Sequence, residues 1–269
     1  MTSLQRVIKY CAIAFAVFLS VSIIGGICSA VAMVFGFLGG DSVGEMQTYS
    51  ISGEITSLDI EIGMAAFEIV EGESFSVESN LKNLSVEENN GVLQITGEQK
   101  NGSIGSSDAS VVLTVPAGFV FEEADISAGA GELTIDTLTA NELKLDLGAG
   151  ETEIGFLTVL EKAEINNGAG ELTIQGGELN DLSMDLGVGE MELTGKLTGD
   201  CTINYGVGET ILNLSGDSSD YQIALDKGIG GATLDGETMS ADSVYGDGPN
   251  KISIDGGIGS LRIEFEEAE

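Results

Sequence analysis

A chain of 269 residues with 44 acidic side chains against ten basic ones has a formal net charge of −34, which excludes nucleic acid as a partner because gripping a phosphate backbone requires clustered Lys and Arg. With no histidine there is no His-based triad and no imidazole base or metal ligand. Glycine is abundant at 39 residues, yet 42% of the chain is hydrophobic and most of those residues alternate with polar ones, so a buried core is feasible.

The chain opens with a short N-terminus, residues 1–9, that carries Arg6 and Lys9. From Tyr10 to Leu38 no residue is charged. About 20 helical residues cross a bilayer, whereas the apolar region of a signal peptide is roughly 7–15 residues long. Ala30-Val31-Ala32 has the look of a cleavage site, but Met33 to Leu38 prolong the apolar run, and Ile27 is too bulky for the position before a lipidated cysteine. Residues 10–38 therefore read as one uncleaved transmembrane helix in the lipid bilayer. The positive-inside rule leaves the N-terminus cytoplasmic and the acidic part outside. Ser22, Gly26 and Ala30, spaced by four, either form a close contact in a homo-oligomer or are merely tolerated small residues. Residues 39–50 read as a polar linker.

Residues 51–269 form the extracytoplasmic domain. Residues 41–269 hold every acid and eight of the ten bases, a charge of −36. Such a surface favours a cationic peptide or a basic protein face as partner, or simply keeps an exported protein soluble. Residues 51–125 are strand-rich but irregular, with Val111 to Val115 before Pro116 and an Asn90-Gly91 turn signal.

Residues 126–269 are regular. Gly-x-Gly-Glu recurs at Gly129, Gly148, Gly168, Gly187 and Gly206, spaced by 19 or 20 residues. Degenerate copies start at Gly228 and Gly257, and a relic is Gly63-Met64-Ala65-Ala66. One, three and five residues before the first glycine the chain is apolar, as in Leu143, Leu145 and Leu147 or Cys201, Ile203 and Tyr205. Four and six residues after it the same holds, as in Leu172 and Ile174. Period two with one apolar face predicts half-buried strands. Two short strands per 19–20 residues predict an all-β, single-stranded, β-helix-like solenoid whose rungs share one core.

The sequence carries no sign of an enzyme or a cofactor site. Three cysteines are too few for a disulfide framework; Cys11 and Cys28 lie in the apolar segment, and Cys201 falls at an inward position without a base partner. No phosphate-binding Gly-x-x-x-x-Gly-Lys-Ser/Thr loop occurs, and Gly-x-Gly-Glu lacks the third glycine of a dinucleotide site. One constellation stands out. Glu132, Glu151, Glu171, Glu190 and Glu209 share one position in five rungs and should stack about 4.8 Å apart. They read either as a column that binds a divalent cation such as Ca2+ or as a solvated ladder that accepts from corner backbone N–H groups.

Residues 50–269 resemble the bacterial β-strand-repeat family named "putative adhesin", a domain of unknown function. The resemblance rests on Val111-Val112-Leu113-Thr114-Val115-Pro116-Ala117-Gly118, the Gly-x-Gly-Glu series, Asp220-Tyr221-Gln222-Ile223 and Gly256 to Ile263. It implies a solenoid-like fold in the cell envelope, akin to modules of envelope-stress operons, and supplies no catalytic residues. The expected function is a non-catalytic, membrane-anchored interaction or envelope-stress sensing module. The alternatives are an adhesin-like surface protein or a divalent-cation-binding solenoid.

Overall fold

A computed structural model of the chain describes residues 43–97 and 109–266. The expected anchor at 10–38, with Cys11, Cys28 and the Ser22, Gly26, Ala30 spacing, lies outside the described residues. Among the described residues no helix is long and apolar enough to cross a membrane.

The irregular part holds β1 (Val43–Ser50), β2 (Ser57–Met64), β3 (Ala66–Gly72), β4 (Ser76–Leu81), β5 (Leu84–Asn89), β6 (Val92–Gly97) and β7 (Ser110–Pro116). The regular part begins with β8 (Phe121–Ile174), a continuous extended path through several rungs. It continues through β9 (Gly177–Asn180), β10 (Leu182–Thr198) and β11 (Asp200–Ser215). After a 3-10 turn at Ser218–Asp220 come β12 (Tyr221–Asp226), β13 (Ile229–Leu234), β14 (Glu237–Thr238), β15 (Ser243–Tyr245) and β16 (Asn250–Glu266). The sixteen strands form one sheet wound into a stack, so the all-β solenoid-like expectation holds. Strand β1 occupies eight residues of the span expected as linker.

The inward rows follow the sequence pattern. Ile165, Met184, Ile203, Ile254 and Leu225 stack rung on rung, each opposite the next. So do Leu172, Met191, Thr210, Leu261 and Ala232. All ten side chains are buried. Each Leu, Ile or Met among them contributes roughly 1.5–3 kcal/mol by leaving water. Thr152 and Thr210 are the polar members of the second row, and among the described residues no buried side-chain polar atom lacks a partner.

The rungs that start at Gly148, Gly168 and Gly187 have three sides rather than the two expected. Between the rows on either side of the glycines runs a third row, with Val159 opposite Leu179 and then Leu197, and Leu157 opposite Gly177. The inward phase shifts at Asp136-Thr137 and again at Asn141-Glu142, where two successive residues stay outside the core. Two outward residues in a row turn a strand's buried face through a corner. The sequence pattern around the glycines samples only two of the three sides.

The order of rungs also departs from chain order. Strand β16 pairs with β11 on one flank and with β12 and β13 on the other. The last rung of the sequence is thus inserted inside the stack, and the Gly228 copy forms the end. Antiparallel strands close both ends: β1 on β4 and β5 on β6 at one, β14 on β13 and β15 on β12 at the other. The Asn90-Gly91 turn joins β5 to β6 with positive φ at both residues, as a two-residue hairpin turn requires. Such caps keep an open parallel edge from pairing with other chains.

Candidate functional site

The glycine corner organises one flank of the molecule. In Gly187-Val188-Gly189-Glu190, Gly189 has φ +152, a region that L side chains rarely adopt. A Cβ there would land on the carbonyl oxygen of Gly170 one rung away, and a Cβ on Gly187 would land on that of Gly168. Successive backbones pass too closely at this corner for any side chain. The relic obeys the same rule, because Gly129 lies against Gly63. Between the two glycines the residues grow along the stack from Ala130, Ala149 and Ala169 through Val188 and Val207 to Ile258 and Ile229.

Two polar ladders flank this bare strip. The first is the expected glutamate column. Glu190 lies opposite Glu171 on one side and Glu209 on the other. The column then ends, for Ser260 and Gly231 occupy the next two rungs. Glu132, Glu151, Glu171 and Glu190 are exposed, and among the described residues nothing donates a hydrogen bond to them. Glu209 is half-buried and pairs with the Arg262 guanidinium at 3.5 Å. Among the described residues no three acidic or cysteine side chains gather as a metal shell.

The second ladder is a feature the sequence reading did not contain. Two residues before the first glycine, Glu61 lies opposite Ser127. In later rungs the same position holds Asp146, Asn166, Asp185, Asn204 and Asp255, with Asp226 at the end. From Glu61 to Asp255, carboxylates and neutral residues alternate strictly. The Asn166 amide donates to Asp146 Oδ1 at 2.7 Å, and the Asn204 amide to Asp185 Oδ1 at 2.7 Å. Lys144 Nζ lies 2.7 Å from Asp146 Oδ2. The hydrogen bonds from Lys144 and then Asn166 hold the Asp146 carboxyl below the usual range, and those to Asp146 and the charge of Asp125 raise Lys144.

This ladder walls an open groove of about 580 Å3. Its floor is the row Gly63, Gly129, Gly148, Gly168 and Gly187, with Leu147 and Asn167 between floor and wall. A second hollow of about 430 Å3 lies on the other side of the ladder, away from the glycines, where Thr202, Ser253, Ala224 and Ile254 line it with Asn204, Asp255 and Asp226. Two titratable groups lie in the core, away from this groove. Burial pushes the Cys201 thiol up to about 11 and the Tyr221 hydroxyl up to about 12, and Tyr221 donates to the Ser215 carbonyl at 2.7 Å. A thiol so raised is a poor nucleophile at neutral pH.

Residues 49–249 match the family model described as Toastrack DUF4097. The chain belongs to that family. The resemblance read from its glycine motifs and strand repeats thus holds, and the match takes in both the irregular strands and most of the regular rungs. Among solved structures, the chain is similar to a "putative cell adhesion protein" from Clostridium sporogenes at 14% identity, over 82% of this chain and 99% of that one, with a TM-score of 0.39. It is also similar to a "putative adhesin" from Bacteroides fragilis at 12% identity, over 81% and 96%, with a TM-score of 0.41. A "putative adhesin" from Parabacteroides distasonis is 15% identical over 85% and 99%, with a TM-score of 0.33. No curated protein matches the chain.

Proposed function

We propose that this toastrack protein is a non-catalytic interaction module of the bacterial cell envelope. It is anchored by residues 10–38 with its N-terminus in the cytoplasm, and it presents an acidic solenoid to a cationic peptide or basic protein outside. The observation that supports the reading is the alternating ladder of Glu61, Asp146, Asp185 and Asp255, the first three of which line an open groove. Carboxylates held at fixed intervals attract a cationic chain and fix its register, while the neutral residues between them limit mutual repulsion. Envelope-stress sensing follows if an occupied groove changes what the anchor or its neighbours do in the membrane.

The test uses the full chain in zwitterionic detergent and decalysine as probe, followed by calorimetry at low and physiological salt. Binding that weakens with salt, and weakens further in D146N/D185N/D255N, is expected. Absence of binding at low salt overturns the reading. Protease added to intact protoplasts checks the placement: digestion of the acidic domain is expected, and its protection contradicts the topology.

A further inference from the structure

We propose that the glycine-floored groove seats an extended peptide in the polyproline II conformation, running along the stack with a basic side chain at every third residue. This rests on the reading above and narrows the partner. Rungs lie about 4.8 Å apart, so carboxylates on alternate rungs recur about every 9.6 Å. The carboxylates of the groove itself, Glu61, Asp146 and Asp185, cover four rung intervals, about 19 Å, and Asp255 stands two rungs further along the same column, about 29 Å from Glu61. A polyproline II chain rises about 3.1 Å per residue with three residues per turn. Its every third side chain therefore faces the same way, about 9.3 Å apart, and four such side chains span about 28 Å. An extended β-strand repeats each face about every 6.7 Å and drifts out of register within two carboxylates.

The rest of the groove fits the same occupant. Its floor of glycines lets a backbone approach closely. Its lining includes the half-buried Ala128 and the glycine Cα atoms for apolar contact with proline rings, and contains no aromatic side chain on which a sugar ring would stack. The half-buried Asn167 carboxamide stands between wall and floor, where the hydrogen-bonding groups of a fully solvated polyproline II backbone would pass.

The experiment compares three probes of four cationic groups each on the full chain, (Lys-Pro-Pro)4, (Lys-Pro-Pro-Pro)4 and a glucosamine oligomer of four cationic sugars, with decalysine as a control of higher charge. Loss of register at three exposed ion pairs should weaken the four-residue repeat about tenfold relative to the three-residue one. Asn166→Lys, which sets a cation between Asp146 and Asp185, should weaken (Lys-Pro-Pro)4 by a similar factor while the thermal midpoint stays within a few degrees; Ser127→Lys is the second variant should that one misfold. Equal affinity for the two repeats, with decalysine still binding, overturns the register proposal and leaves the interaction reading standing. Failure of every probe overturns both. Tighter binding of the glucosamine oligomer than of (Lys-Pro-Pro)4 makes a glycan the occupant and overturns the peptide. Unchanged affinity in a folded Asn166→Lys variant places the binding elsewhere and overturns the proposal.

Discussion

Two acidic ladders run along the same corner of this solenoid and solve the same electrostatic problem differently. In the glutamate column five carboxylates follow one another without a break, and relief comes from solvent and, at Glu209 alone, from Arg262. In the aspartate–asparagine column every second rung is neutral, two asparagines donate to the carboxylate of a neighbouring rung, and Lys144 binds Asp146. Adjacent carboxylates about 5 Å apart repel by roughly 0.8 kcal/mol in a bulk-like dielectric. Exposed glutamates on long flexible stems tolerate that by spreading. Short aspartates whose oxygens are held by amide and ammonium donors keep fixed positions, and fixed positions are what a binding face needs.

The strip between the ladders offers the most severe way to break the comparison, because it supports both. Gly189→Ala places a methyl group on the Gly170 carbonyl at a positive φ. A cost of more than about 3 kcal/mol is expected, against less than about 0.5 kcal/mol for the outward Ser183→Ala in the same rung. Urea unfolding followed by circular dichroism measures both. Equal midpoints for the two variants would mean that the corner is not packed as described.

A smaller effect separates the ladders themselves. Asn166→Asp removes a hydrogen bond and puts carboxylates on three successive rungs, so a loss of about 1–2 kcal/mol is expected at neutral pH in low salt. Glu171→Gln should act in the opposite direction and stabilise by at most about 1 kcal/mol. Added NaCl should shrink both differences. If both substitutions shift the thermal midpoint the same way, the two ladders do not differ as argued.

The smallest expected effect concerns acid. The Asp146 carboxyl is held down in the folded state by Lys144 and Asn166. A carboxyl of that kind contributes stability above its unfolded value of about 3.9, and the contribution is lost as pH falls through the lower folded value. The wild type should therefore lose more stability than Asp146→Asn between about pH 5 and pH 2. Parallel curves for the two proteins over that window would remove Lys144 and Asn166 as partners of Asp146.

Much of this was legible in the sequence because period and phase survive in a linear reading. Leu143, Leu145 and Leu147, Leu172 and Ile174, and Cys201, Ile203 and Tyr205 are buried as expected, and the Gly63 relic stacks beneath Gly129. The third side of the middle rungs was hidden because Leu157, Leu179 and Leu197 lie far from the glycine signal that defined the repeat. Strand β1 was hidden because Val43-Gly44-Glu45-Met46-Gln47-Thr48-Tyr49-Ser50 is mostly exposed, and its backbone pairing with β4 leaves no apolar alternation to read. The glutamate column was legible because its members recur at the repeat spacing. The alternating ladder is present in the sequence too, two residues before each first glycine, but its members change among Glu, Ser, Asp and Asn, so no single recurring residue marks it.

The difference between the ladders is tested most directly by removing the same charge from each. D146N/D185N/D255N and E151Q/E171Q/E190Q each delete three carboxylates, so their long-range attraction for a cation falls equally. Calorimetric titration of (Lys-Pro-Pro)4 into both, in the full chain at physiological salt, separates a fitted face from a diffuse field. The expected result is about a tenfold loss of affinity in the aspartate variant and less than about a twofold change in the glutamate variant. Equal losses in the two variants would contradict the assignment of the groove as the binding face.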